Sequence, residues 1–332
     1  MKKIICIFTV LILITGCDND KFLEKMGFKE KITNVVQERD GITYIPNETK
    51  PFTGKWEGKN IYYDNGKIEA HFKDGKRNGL STEWYTNGQK RIEETFRDGN
   101  QEGLSTIWYE NGQKKFERHY IKGNQDGLDT TWDENGQKAY EGHYIKGNQD
   151  GLSNTWHENG QKANESHYIN GNQDGLTTYW NENGQKSSEA HFKDGKRNGL
   201  STEWYTNGQK RIEETFRDGN QDGMSTTWSE NGKKLGEVHF KNGKKNGLTT
   251  IFFESGKKEV ESRYEEGNED GLTTSWYENG QKHMEQTFQD GKANGLSTVF
   301  YESGKKNLEV NFKDGEQLGA TMRTFDENGR EQ

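Results

Sequence analysis

The chain is poor in cysteine and proline, with two of each among 332 residues, and hydrophobic residues make up only 27% of it. Its mean hydropathy is -1.24. Both prolines, Pro46 and Pro51, precede the regular part of the chain. Values this polar are those of a disordered chain, and they exclude a large apolar core. A basic excess is also missing. The formal charge is -8, so sequence-independent nucleic-acid binding, which needs a positive footprint, is not expected. The one long apolar run is Ile4 to Ile14, too short to span a bilayer.

What the chain has is a phased aromatic series. Phe72, Trp84, Phe96, Trp108, Tyr120 and Trp132 begin it, and it continues every twelve residues to Phe312. Trp mostly alternates with Phe or Tyr, so the true unit is 24 residues. A disordered tract has no such phase. A fixed period of this length marks a repeat array. Catalysis needs unlike groups converging on one place, whereas a repeat spreads like groups along a line. There is no nucleophile elbow and no phosphate-binding loop. We expect no enzyme and no cofactor.

The first residues have another purpose. Lys2 and Lys3 precede the apolar run, which ends in Ile14-Thr15-Gly16-Cys17. That order resembles a bacterial lipobox, in which cleavage precedes the cysteine and its thiol receives diacylglycerol. Residues 1–16 are then a lipoprotein signal peptide, Cys17 is the lipidation site, and 17–33 is a tether. The expected location is the bacterial cell envelope, with membrane contact through the N-terminal lipid only. Cys6 leaves with the signal, so no intrachain disulfide is expected.

Residues 34–66 read as an N-terminal cap and an irregular first repeat. Val35-Val36-Gln37, a turn at Asp40-Gly41, and Ile42-Thr43-Tyr44 make a hairpin. Residues 67–332 are the regular repeats. In the unit from Gly79, a β-prone stretch from Leu80 to Tyr85 meets Asn87-Gly88, where both residues tolerate positive φ. Arg91 to Phe96 is a second strand, followed by Asp98-Gly99. Two short antiparallel strands and two turns per unit give an all-β, elongated, single-layer twisted meander. At ~4.8 Å per strand it would be on the order of 100 Å long. A parallel solenoid is the alternative, and hairpin turns argue against it. The last unit slips by one residue at Asn328-Gly329.

An even period aims equivalent side chains the same way. Four ladders follow: Trp, Phe/Tyr, Leu (Leu80, Leu104, Leu128 onward) and Glu (Glu69 to Glu309). A Lys series, Lys90 to Lys306, stands three residues before each Glu from Glu93 onward. Alternation puts Lys90 and Glu93 on opposite faces, so no ion-pair row along the strand is expected.

Pro51-Phe52-Thr53-Gly54, Tyr62-Tyr63-Asp64-Asn65-Gly66-Lys67 and Phe72-Lys73-Asp74-Gly75-Lys76-Arg77-Asn78-Gly79 carry a pattern that repeats to about residue 330. It resembles the bacterial MORN-variant repeat. The resemblance implies a β-hairpin array used for binding. Some relatives are antitoxins of toxin–antitoxin pairs, and classical MORN repeats are linked to membrane lipids and protein assembly. An exported lipoprotein could not neutralise a cytoplasmic toxin.

His71, His119, His143, His167, His191 and His239 share one repeat position, each two residues after a Glu. Equivalent positions lie ~10 Å apart, too far to share one zinc with ligands ~2 Å away, so a solvated face is expected rather than a metal. Asp218-Gly219-Asn220-Gln221-Asp222-Gly223 matches half an EF-hand loop but lacks the bidentate Glu, and reads as a turn. A single layer cannot enclose both faces, so an apolar row stays open. The candidate surface is Trp84, Trp108, Trp132, Trp156, Trp180, Trp204, Trp228 and Trp276. The leading expectation is a protein partner or self-association. Capping of a secreted toxin comes second, and a cell-wall glycan third, since hairpins bearing Trp and Tyr also bind sugars.

Two outcomes test this reading. Cys17→Ser should release the protein from membranes, and a variant that still sediments with them in high salt rules the lipobox out. Residues 69–101 and 189–221 are identical, so deleting Glu69 to Ser188 removes five units in phase and should leave a folded chain by circular dichroism. Deleting twelve residues fewer breaks the phase and should unfold it. Equal unfolding of both contradicts additive repeat stability.

Overall fold

The computed structural model describes residues 32–59, 66–319 and 322–332. The lipobox, Cys17, most of the tether, Tyr62 to Asn65 and Ala320 lie outside the described residues. The described chain is all-β and antiparallel, with one short exception, and divides into two compact units, the first ending at Gly112 and the second beginning at Gln113.

The second unit shows the repeat clearly. Strand Lys162–Ile169 turns at Asn170-Gly171 into Asn172–Gln173 and then Gly175–Trp180, which turns into Lys186–Lys193. Ile169 pairs with Asn172, Tyr168 with Gln173, and Glu165 with Thr178. On its other side Thr178 pairs with Glu189, and Leu176 with His191. Each strand thus bonds to the next in sequence, as a meander requires and a parallel solenoid forbids.

The two turns differ. At the Asp-Gly edge both central residues have positive φ, for example Lys146 at 52° and Gly147 at 84°. This is the mirror-image turn whose twist suits a two-residue hairpin. The half EF-hand at Asp218 is the same turn. At the Asn-Gly edge only the glycine is left-handed. Gly88 has φ 87°, and its N–H donates to the Tyr85 carbonyl at 3.0 Å. Asn87 is not left-handed, against expectation. Its side-chain Oδ1 instead accepts the Gln89 N–H at 2.9 Å, so the residue is selected as a hydrogen-bonding group.

Each second strand contains a bulge. Between the pairs Tyr144–Gln149 and Gly142–Ser153, two extra residues enter the second strand. Gly127, in the bulge of the preceding unit, has φ 120°, and a Cβ there would lie 3.1 Å from that of His119. A second irregularity follows each Asn-Gly turn. Trp180 pairs with Lys186 but Tyr179 with Ser188, so Ser187 is unpaired. That extra residue shifts the alternation.

The interior is polar. Among the described residues the buried apolar side chains are Phe52, Ile68, Ala70, Ala190 and Val310. Instead two adjacent Ser/Thr positions fill the sheet's middle, one per face: Thr177 with Thr178, Ser201 with Thr202, Thr249 with Thr250. Long side chains from neighbouring strands fold over them.

In the first unit, strand Gly54–Lys59 pairs antiparallel with Lys67–Lys73 and parallel with Ile32–Thr33. Phe52 packs on Phe72 with ring centroids 5.8 Å apart. The hairpin begins at Gln37 rather than Val35, which is exposed. Its Thr43 N–H donates to Gly75 C=O at 2.9 Å. In the last repeat of the second unit, Leu308 pairs with Thr324, one residue later than Asn164 with Tyr179 predicts, as the slip at Asn328 requires.

The strained positions give a test by urea unfolding. Gly127→Ala should cost about 1–3 kcal/mol, since it combines positive φ with a tight contact. Lys146→Asn, which replaces a residue ill-suited to the left-handed region, should gain a few tenths to about 1 kcal/mol. Losses from both variants would refute this account of the turns.

Candidate functional site

The face that carries Trp is built from both strands. Along the second strand Leu176, Thr178 and Trp180 share it. From the next strand His191, Glu189 and Lys186 stand opposite them in that order. Lys186 and Glu189 share the face because the unpaired Ser187 shifts the alternation. The expectation that Lys and Glu lie on opposite faces is therefore wrong. The Lys–Glu ion pair forms in every regular unit of this pattern, from Lys90–Glu93 to Lys306–Glu309.

The same ammonium lies over a Trp ring. Lys90 Nζ is 5.7 Å from the Trp108 centroid, Lys138 is 5.4 Å from Trp156, and Lys186 is 5.9 Å from Trp204. Wherever the repeat supplies that Trp, the chain thus places a cation between a carboxylate and an indole; at Phe252 and Phe300 the indole is replaced. The ion pair is partly exposed and worth little alone. The cation–π contact adds about 0.5–1 kcal/mol. All eight candidate tryptophans, Trp84 to Trp276, are half-buried.

The histidines support the bulge. His167 Nδ1–H donates to the Asp174 carbonyl at 2.9 Å, and the Asp174 N–H donates to the His167 carbonyl at 2.9 Å. His119 and His143 bond Asp126 and Asp150 in the same way. A carbonyl partner fixes Nδ1 as the protonated nitrogen. No three His, Cys, Asp or Glu side chains group as metal ligands among the described residues.

Beside the histidines runs the openly apolar row. Leu128 is 50% exposed, Leu152 49%, and Leu176 41%. Two positions beyond His119, His143 and His167, on the same face, Ile121, Ile145 and Ile169 are also exposed. The equivalent residues elsewhere are polar and mostly charged, as at Lys193, Arg217 and Lys241. The row therefore widens into a patch in these units. The Leu ladder was visible in the sequence, but nothing in its period says that it stays open while Trp is covered.

The opposite face departs from the repeat in the same region. Arg118 Nε donates to Asp129 Oδ2 at 3.1 Å, and Gln125 Nε2 donates to the same oxygen at 2.9 Å. The Tyr140 ring lies across Gly142, its hydroxyl 3.0 Å from that of Tyr144. Burial, then this hydrogen bond, raises its pKa well above the ordinary tyrosine value.

Turns at one edge are stitched across repeats. Tyr85 OH donates to the Trp108 carbonyl at 2.7 Å, and Asn87 Nδ2 donates to the Glu110 carbonyl at 2.9 Å. His157 and Asn159, and Tyr205 and Asn207, repeat the arrangement.

Comparison with known proteins agrees with this construction. No curated protein matches the chain. A solved structure described as the crystal structure of TcdB2-TccC3-Cdc42 is 13% identical, and its TM-score of 0.19 carries no argument. The match covers 81% of this chain but only 17% of that one. The MORN repeat variant family matches residues 77–98, 101–122, 125–146, 149–170, 173–194, 197–218, 221–242, 269–290 and 293–314. These nine segments make up more than half of the chain, each running from one second strand through a hairpin to the next turn, and the protein belongs to that family.

Proposed function

We propose that this protein is a non-enzymatic, lipid-anchored binding array of the bacterial envelope. It would take a protein partner on the face that carries Leu, His, Lys and Trp. The observation that supports this most is the patch of Leu128, Leu152, Leu176, Ile121, Ile145 and Ile169 in a chain otherwise so polar. Exposed apolar groups that meet and are rimmed by polar residues mark interaction surfaces. The neighbouring Trp–Lys–Glu sets are held in place before any partner arrives, so little side-chain freedom is lost on binding. Repeat proteins of this kind serve as binding modules rather than catalysts, and the face offers no converging acid, base and nucleophile. Membrane attachment would come from Cys17.

The test is retention of envelope proteins on the immobilised chain. Leu152→Glu with Leu176→Glu should weaken capture roughly tenfold or more, since each apolar side chain contributes about 1.5–3 kcal/mol when buried. Tyr179→Glu, an exposed change on the opposite face, should leave capture unaltered. Equal retention by all three proteins, with circular dichroism unchanged, would place function elsewhere.

A further inference from the structure

The Asn-Gly turns are chemically reactive sequences. The amide nitrogen of the glycine can attack the asparagine Cγ, expelling ammonia and closing a five-membered imide. Water then opens the imide to aspartate or isoaspartate. Glycine favours the attack because no side chain shields its nitrogen. The turns of this edge from Asn87 to Asn328 are exposed, so exposure does not rank them.

Hydrogen bonding does. At Asn87, Oδ1 accepts the Gln89 N–H at 2.9 Å, and Nδ2 donates to Glu110 of the next repeat at 2.9 Å. Asn159, Asn207 and Asn279 are held from both ends in the same way. Closing the imide requires the side chain to rotate toward the glycine nitrogen, which breaks both bonds. At Asn183 the amide reaches only the Gln185 side chain, and Asn231 accepts from Ser229 and Lys233. Two further turns differ in another way: the residue two before Asn is Asp133 or Asp326, where the held turns have Tyr or His. Asp133 Oδ1 accepts the N–H groups of Asn135 and Gln137, taking the bond that Asn would have accepted. Asp326 does the same for Asn328 and Arg330. The side-chain amides of Asn135 and Asn328 make no hydrogen bond with other described residues.

We propose that Asn135 and Asn328 are sites at which this protein converts asparagine to aspartate and isoaspartate, the stitched turns being protected by the following repeat. The residue two before each Asn-Gly is then a positioning residue that sets the rate. Conversion adds a negative charge at the turn edge, and isoaspartate lengthens the turn backbone by one carbon.

The purified full chain, aged in mildly alkaline buffer and mapped by peptide mass spectrometry, tests this without substitution. Asn135 and Asn328 should convert roughly fivefold or more faster than Asn87, Asn159, Asn207 and Asn279, the factor that one lost hydrogen bond implies. Aged in denaturant, the sites should lose that difference. Asp133→Tyr should slow Asn135 to the rate of Asn159 while leaving Asn328 unchanged. Equal rates across sites in the folded chain, or no slowing in Asp133→Tyr, overturns the proposal.

Discussion

The backbone ladder carries this protein. With so few apolar side chains buried, the usual hydrophobic contribution is small, and strand pairing must be kept in one register by other means. The turns do this. A two-residue turn with both residues left-handed fixes one strand pair. A turn with a single left-handed glycine fixes the next, and a bulge absorbs the difference between them. Buried Ser and Thr suit the middle of such a sheet because they are small, branched or hydroxylated, and leave room for long neighbours to cover them.

Much of this was legible in the sequence. The period of 24, the two turns per unit and the antiparallel order follow from glycine and aromatic spacing alone. The Lys–Glu pairing was not legible, because simple alternation fails at Ser187 and its equivalents, and a bulge is a property of pairing rather than of one strand. For the same reason the role of Asn87 was misjudged. Its neighbour Gly88 takes the left-handed position, so the asparagine is free to bond outward to Glu110. The histidines show the limit of spacing arguments in another way. Distance argues against a shared zinc, but it does not reveal that His167 holds the bulge at Asp174.

The candidate surface was read from the aromatic period. The expectation that one apolar row stays open led to Trp, the most conspicuous residue. The structure gives each of the eight candidate rings a lysine cover and leaves the Leu row, with Ile121, Ile145 and Ile169, to water. Composition hides this because leucine is ordinary. Only register, which sets Leu128 against His143 and lets no long apolar chain cover it, shows the difference. The departures at Arg118, Asp129 and Tyr140 occur between the two identical stretches, in the same part of the array as the three exposed isoleucines.

A face repeated at even spacing has no single address. In the second unit, Leu128, Leu152, Leu176, Leu200, Met224, Leu248, Leu272 and Leu296 present like positions to a short ligand. Occupying any of several equal registers adds a statistical gain of RT ln n, about 1.2 kcal/mol for eight. A longer ligand would need a matching step of ~9.6 Å between its contacts, and once bound it could shift by one repeat without changing its interactions. The isoleucines that widen the row at only three units would then act as a stop, turning a surface on which a partner can slide into one on which it comes to rest.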